Sequence, residues 1–396
     1  MKILTAFGKH QYGDPARGES TEFAAFLPAL KNLGHEVVHF ELWNKSKYLN
    51  YADLNDKLIR TILREKPDIL FAIPLHYEIW LETLQLIRRY TKTRTICWTT
   101  DDSWKYREVS RFIGKSYHLI TTTYADKLPL YRKDGIHHVH LSQWAANSMQ
   151  MQAPLAAKDC IYEVTFIGEA HGDRKKRIDA LCQKGLNVKC FGHGWPAGPI
   201  PAESIPEIMR KSIISLNFAN SKGKRQIKAR TFEVPGAGGF LLSEAVDTIE
   251  HYYQVGNEID CFGSIDELVK KIRYYLSHLE ERDRIAFRGY LRTKSDHTYE
   301  KRFEKILKAV KLDPHNGNDP EPINLMEAFQ EIKQRHCLTR SMEIARCGLV
   351  HPAMWIWGKR RGVRAARRLT YEISWRIHRE GTYTAAGLPG RLFPEI

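Results

Sequence analysis

The sequence contains no run of 18 apolar residues, so no stretch of it is long enough to span a bilayer as a helix. Its seven cysteines, Cys97, Cys160, Cys182, Cys190, Cys261, Cys337 and Cys347, are scattered with neither a CxxC pair nor zinc-site spacing. That pattern excludes a disulfide framework and reads as reduced thiols, mostly in the core. Zinc-knuckle, helix-turn-helix and RRM-like patterns are missing, as is any repeat of fixed short period. A signal peptide is not expected either: the opening MKILTAFG reads as a first strand, and the expected location is cytoplasmic, at most peripheral to the inner face of the cell membrane.

Acidic residues are also in deficit. Lys and Arg number 61 against 46 Asp and Glu, a formal charge of +15. Nucleic acid, an anionic leaflet and phosphate-bearing sugar donors or lipid-linked acceptors would all answer that charge. Without a nucleic-acid motif, nucleic acid is not the expected partner. The 396 residues, 43% hydrophobic and 27% charged, suit a globular protein of two domains with ample core.

Short apolar strands alternate with helices through the first 144 residues: KILTAF, EVVHFEL, DILFAIP, TICWTT, HLITTT and VHLSQW, with helices between. The first helix is expected over Ser20 to Leu33, with Ser20 as N-cap and Gly34 as C-cap. This rhythm predicts a parallel, doubly wound sheet. His137, His138 and His140, in GIHHVHL, fall on its last strand by alternation. The polar stretch Ala146 to Lys158 breaks the rhythm, which restarts at Tyr162 with VTFIGEAHGDRKKRIDAL, then VKCFGHGW, SIISLNF and IDCF, and a long helix over Ile265 to Ser277. Domains are therefore expected at 1–148 and 158–312, with a linker and basic helical extension over 313–396 that opens on DPHNGNDPEP. Residues 351–396 hold nine Lys/Arg against three Glu, with Trp355, Trp357 and Trp375 among them. A helix around Arg364 to Arg379, with Leu369, Ile373 and Ile377 at helical spacing, would either lie on an anionic membrane surface or pack back on the first domain.

The most informative run is Lys228 to Glu250, KARTFEVPGAGGFLLSEAVDTIE. Phe240, Leu241 and Leu242 read as a buried strand entered from a turn permitted by Gly236, Gly238 and Gly239. Lys228, Arg230 and Glu233 are spaced to converge from a short helix. Glycines admit phosphates to backbone amides, a cation offsets their charge, and a carboxylate accepts from ribose hydroxyls, which suits a sugar nucleotide.

The motifs R-x-F-E (Arg230 to Glu233), A-G-G-F-L-L (Ala237 to Leu242), E-E-R (Glu280 to Arg282) and H-T-Y (His297 to Tyr299) follow one another over about 75 residues. In them the chain resembles the C-terminal half of the CgeB-like, or spore-maturation-protein-like, bacterial glycosyltransferases. The resemblance implies an α/β GT-B fold, two Rossmann-like doubly wound domains facing a cleft, and transfer of a sugar from a nucleotide-diphosphate sugar to a glycan, lipid-linked or protein acceptor in surface-polysaccharide assembly. It places the donor on Gly168, Gly172, Arg174, His193, Lys228, Arg230, Glu233, Gly238 and Gly239, with Lys228 and Arg230 on the diphosphate and Glu233 on the ribose. For His193 and for His171 an ordinary loop histidine is the alternative. One departure stands out: where many retaining enzymes of this fold carry a Glu eight residues before the one matching Glu233, this chain has Arg225.

On the acceptor side, WTTDDSW puts Asp101 and Asp102 directly after a strand, where a carboxylate is placed to take a hydroxyl proton or simply to cap the next helix. The resemblance extends here and to SQWAAN. His10, with Gly13, Asp14 and Arg17 in the first loop, and His76 after the third strand are further candidates for the base. No cofactor and no metal are expected, because enzymes of this fold commonly meet the leaving diphosphate with basic side chains. A GT-B-fold epimerase or hydrolase, and a non-catalytic nucleotide-sugar or nucleic-acid binding protein, are the alternative functions.

Overall fold

A computed structural model describes residues 1–219, 226–311 and 325–394. Arg225, part of the basic run Lys222 to Arg230, and the DPHNGNDPEP segment lie outside the described residues. The chain divides into two compact units: Met1–Ser142 with Ile306–Ile396, and Gln143–Lys305.

The first unit is built on six parallel strands: β1 Lys2–Phe7, β2 Glu36–Glu41, β3 Ile69–Ala72, β4 Arg94–Trp98, β5 Leu119–Thr122 and β6 Val139–Leu141. Their order is β2-β1-β3-β4-β5-β6. A parallel sheet covered on both faces needs nearly continuous apolar strands, which is why Ile3 through Phe7, interrupted only by Thr5, and Ile69 through Ala72 are apolar runs and are buried throughout. Phe26, Phe71 and Trp98 close one face, with ring centroids 5.1 to 6.4 Å apart. Ser20 does begin the first helical stretch: its hydroxyl accepts from Phe23 N–H at 3.0 Å, and Gly34 ends the stretch with a positive φ. Only His140 of the histidine trio lies within β6; His137 and His138 precede it, because the strand spans three residues.

The C-terminal helices belong to this unit. Helix Leu325–Gln334 packs against helices Tyr51–Glu65 and Leu81–Tyr90, with Phe329 stacked on Trp80. Helix Arg340–Ile377 is broken at Gly358, whose φ of 75° reverses the chain so that Gly362 meets the Met354 backbone. Its second arm is held by Tyr371, which donates to the Glu108 carbonyl at 3.4 Å, and the following turn is held by Tyr383, which donates to the same carbonyl.

The second unit carries β7 Tyr162–Ile167, β8 Val188–Phe191, β9 Ser212–Asn217, β10 Leu241–Glu244 and β11 Asp260–Phe262, all parallel, in the order β11-β10-β9-β7-β8. The period-2 alternation of strands splits its core cleanly. Phe166, Leu216, Leu242 and Phe262 pack on one face, and Ile167, Phe191, Leu241 and Cys261 on the other. Of the seven cysteines, all free, Cys97, Cys190 and Cys261 are buried while Cys182, Cys337 and Cys347 are exposed, so the thiols are not mostly core.

Candidate functional site

In open parallel sheets, ligands sit beyond the carboxyl ends of the strands where the strand order reverses. The second sheet reverses between β7 and β9, and the loops that follow these strands hold most of the donor-side candidates. Gly168, first after β7, donates its N–H to the Phe191 carbonyl at 2.9 Å, and its own carbonyl accepts from the Trp195 indole at 2.7 Å. Ala170 N–H donates to the His193 carbonyl at 2.9 Å. The two strand-end loops are thus tied together through Gly168 and His193. Their approach requires glycine at 192, where a Cβ would lie 2.4 Å from the Gly168 carbonyl oxygen. Gly172, with φ +64°, turns the chain into helix Arg174–Gln183.

Arg174 starts that helix, crosses the Phe166 ring at 5.5 Å and donates to the Glu169 carbonyl at 3.1 Å; its buried Nε has no hydrogen-bond partner among the described residues. Arg230 starts helix Arg230–Gly236, donates from Nε to the Ile167 carbonyl at 3.3 Å and pairs with Glu233 one turn on. Lys228 lies two residues ahead of that helix rather than on it. The positive groups converge all the same. The His171 imidazole is held below its ordinary pKa first by burial and then by Arg174 and Lys228, and the Arg174 guanidinium, pushed down first by burial, also feels Arg230. Arg177, not singled out in the sequence, pairs at 3.0 Å with buried Glu244, whose other oxygen accepts Ala219 N–H at 3.1 Å. That pair buttresses the ends of β9 and β10.

Gly238 and Gly239 do not join this cluster. Their amides close the preceding helix onto the Pro235 and Val234 carbonyls at 3.0 and 2.9 Å. The space a side chain would take is filled by protein backbone: Gln152 O at 2.6 Å from a Cβ on Gly238, and Met209 O at 2.7 Å from one on Gly239. They are glycines for packing, not for phosphate. The E-E-R and H-T-Y motifs are likewise structural. Arg282 is fully buried and donates to the Ile213, Ser212 and Leu155 carbonyls at 2.6, 2.7 and 3.0 Å. His297 is buried between the Tyr252 carbonyl at 2.7 Å and Arg302 at 3.2 Å.

The first sheet reverses between β1 and β3, and His10 and His76 stand in the loops after those two strands. His10 is half-buried beside a short pairing with Glu19. His76 lines a cavity of about 390 Å³. Its backbone N–H donates to Glu78 at 2.7 Å, its ring meets Tyr371 edge-on at 5.3 Å, and the ring nitrogens have no hydrogen-bond partner among the described residues. Burial, reinforced by Lys105, Lys45 and Arg368, brings the imidazole down to about 4 against the opposing pull of Glu78. Glu78 is buried. Desolvation would raise its carboxyl, but Lys45, 3.1 Å away, and the His76 N–H hold it below the ordinary range. Sequence reasoning missed Lys45 and Glu78. The available signal was Glu78 two residues past His76 in a strand-end loop, whereas its partner is 33 residues upstream.

The adjacent aspartates part company. Asp102 is fully buried and accepts from the hydroxyls of Thr99, Ser110 and Tyr131 at 2.6 to 2.8 Å, so it meets no acceptor. Asp101 accepts from Ser103, the Trp104 indole and Tyr124 at 2.7 to 2.9 Å, and its carbonyl accepts Lys105 N–H. Both behave as organisers of the turn that follows β4. Among the described residues, no group of three or more His, Cys, Asp or Glu is placed to hold a metal ion.

Residues 174–308 match the family model described as glycosyl transferase-like, a stretch that begins at Arg174 and takes in Lys228, Arg230 and Glu233. Solved structures of similar fold include Anabaena HepE in complex with UDP (12% identity, TM-score 0.51, 78% of this chain and 100% of that one). Sucrose-phosphate synthase from Thermosynechococcus elongatus is also similar (10%, 0.54, 78% and 98%), as is the DNA-modifying β-glucosyltransferase (15%, 0.53, 79% and 100%). The fold is GT-B. No curated protein sequence matches. At these identities the likeness to solved structures is one of fold: two parallel α/β units, here with a second unit that carries nearly all of the family match and a first unit extended by C-terminal helices.

Proposed function

We propose that this protein is a glycosyltransferase that moves a sugar from a nucleotide-diphosphate sugar to a glycan, lipid-linked or protein acceptor in bacterial surface-polysaccharide assembly. The observation that carries the reading is the glycosyl transferase-like match over 174–308, together with the convergence of Arg174, Lys228 and the Arg230–Glu233 pair at the carboxyl end of β7. The donor's diphosphate is met by these three cations and its ribose by Glu233. As the bond from the anomeric carbon to the diphosphate breaks, the electron pair leaves with the diphosphate, and the cations offset the added charge without a metal ion. The acceptor hydroxyl forms the new bond to that carbon and gives its proton to a general base, for which the candidate offered by the first unit is His76. This ring is neutral near pH 7, because burial depresses its pKa, and its nitrogens have no hydrogen-bond partner among the described residues.

The test is a thermal-shift panel of UDP, GDP, ADP, CMP and dTDP and their sugar conjugates, since a ligand that binds the folded state raises its stability. UDP is the first to try, because structures of similar fold are of complexes with UDP and UDP-glucose. A shift with one nucleotide that Glu233→Ala abolishes supports the reading; no shift with any at millimolar concentration overturns it. Donor turnover without acceptor would move the assignment to a hydrolase or epimerase.

We also propose that residues 351–396 attach the protein to an anionic leaflet on the cytoplasmic side. No described helix is long and apolar enough to cross a membrane. Support comes from the break at Gly358, where Trp355 (90% exposed), Ile356 and Trp357 stand in solvent directly ahead of Lys359, Arg360 and Arg361. Leu369, Ile373 and Ile377 are exposed on the second arm.

A further inference from the structure

The cavity at the switch point of the first sheet has a lining that the transfer chemistry leaves unused. Its walls are aromatic: Tyr51, Tyr77 and Tyr371 are each nearly buried, and Tyr77 and Tyr371 lie 5.8 Å apart. Its rim is basic, because the second arm of helix Arg340–Ile377 brings Arg364, Arg367 and Arg368 to it. The charges do not cancel. Glu78 is the one acid in the lining and is engaged by Lys45 at 3.1 Å. Arg368 is engaged by Glu372 at 2.6 Å. Arg364 and Arg367 have no acidic partner among the described residues, and they sit one helical turn apart over the same opening. Arg367 is half-buried and near enough to act on the Tyr51 and Tyr77 hydroxyls. Two unmatched guanidiniums over an aromatic cavity are a fork for an oxyanion, since the planar donor pair matches phosphate or carboxylate oxygens two at a time. A volume of about 390 Å³ is at the small end of ligand-sized cavities and suits a sugar unit rather than a whole nucleotide sugar.

We infer that this cavity is a subsite for an anionic acceptor, a sugar carrying a phosphate or a carboxylate, with the oxyanion held by Arg364 and Arg367 and the ring packed against Tyr77 and Tyr371. The inference rests on the glycosyltransferase reading and narrows it: the acceptor is acidic, and the C-terminal helix selects it. His76 lines the same cavity, so an acceptor anchored by its anion would have a hydroxyl within the base's neighbourhood.

The experiment is calorimetric titration of the full-length protein with glucose 1-phosphate, glucuronate and glucose as probes, alongside UDP, GDP, ADP, CMP and dTDP. An Arg364→Gln/Arg367→Gln variant and an Arg364→Lys/Arg367→Lys variant are titrated in parallel. Binding of glucose 1-phosphate or glucuronate, weakening as salt is raised and falling about tenfold or more in the Gln variant, supports the subsite. The Lys variant should retain part of the affinity, because it keeps the charge and loses the fork. The tighter of the two anionic probes tells phosphate from carboxylate. Binding of glucose as tight as that of both acids, no binding of either acid, or unchanged affinity in the Gln variant overturns the inference. Nucleotide affinity reads the second unit independently. Retained nucleotide binding with no anion response sinks the subsite alone, whereas binding of none of UDP, GDP, ADP, CMP and dTDP by the wild-type protein sinks the glycosyltransferase reading itself.

Discussion

His76 and Asp102 are both polar residues just beyond a strand, and only one of them faces a cavity. For His76 the expected result of His76→Gln is a fall in kcat of about 10² to 10⁴, with nucleotide affinity unchanged, as for removal of a general base. Because burial holds the ring near 4, the acid limb of the wild-type rate should lie below the ordinary histidine range, and a limb centred near 6.5 would count against His76. The sequence favoured Asp102, in a pair directly after a strand, over His76. Asp102 is turned inward by three hydroxyls, of Thr99, Ser110 and Tyr131, that no local pattern brings together. His297 makes a separate prediction. Burial first, then Arg302 and Arg292, lowers its pKa to about 4, so between about 4 and 6.5 the unfolded chain binds a proton that the folded one does not. Stability contributed by the neutral ring is therefore complete above the unfolded pKa and is lost as pH falls through this window. The loss amounts to at most about 3 kcal/mol. A His297→Gln variant should show a flatter dependence of Tm on pH between 4 and 7 than the wild type.

At the scale of elements, the Arg230–Glu250 segment was legible as helix, glycine turn and strand, because a buried parallel strand needs consecutive apolar residues and a tight helix end needs glycine. The purpose of the glycines was not legible. What crowds Gly238 is the Gln152 carbonyl, brought there by the chain that precedes β7. Gly238→Ala, at φ +83° and against that carbonyl, should destabilise the second unit by roughly 2 kcal/mol or more while leaving UDP affinity of the folded protein intact, measured by urea unfolding and calorimetry. Arg282 carries the larger cost. Arg282→Met removes the donor for three backbone carbonyls on β9 and the Leu155 segment, and a loss of about 3 kcal/mol or more is expected in the same unfolding measurement. A small change in either variant would mean that the motif serves the ligand after all.

At the scale of the whole molecule, the C-terminal segment is part of the first unit, with Tyr371 and Tyr383 converging on the Glu108 carbonyl and Ala385 N–H donating to Glu82 at 3.2 Å. Deleting 351–396 should therefore lower the stability of that unit, so the membrane proposal is better tested by point changes at the exposed turn. Trp355→Ser/Trp357→Ser should reduce co-sedimentation with vesicles containing phosphatidylserine and leave Tm and UDP affinity unchanged, because both indoles stand in solvent. Equal sedimentation of variant and wild type would remove the anchoring role.

Two parallel α/β units, their strand sequences and the Arg230–Glu233 pair were determined by sequence alone, because apolar period, capping residues and i,i+3 spacing act over a few residues and leave a local record. The tertiary structure decided which polar groups became a site. It joined Lys45 to Glu78, turned Asp102 inward, filled the space beside Gly238 with backbone and brought Arg364 and Arg367 to a cavity lined by residues some 290 positions earlier in the chain. Such contacts arise from packing between elements distant in sequence, and packing of that kind leaves no periodicity to read.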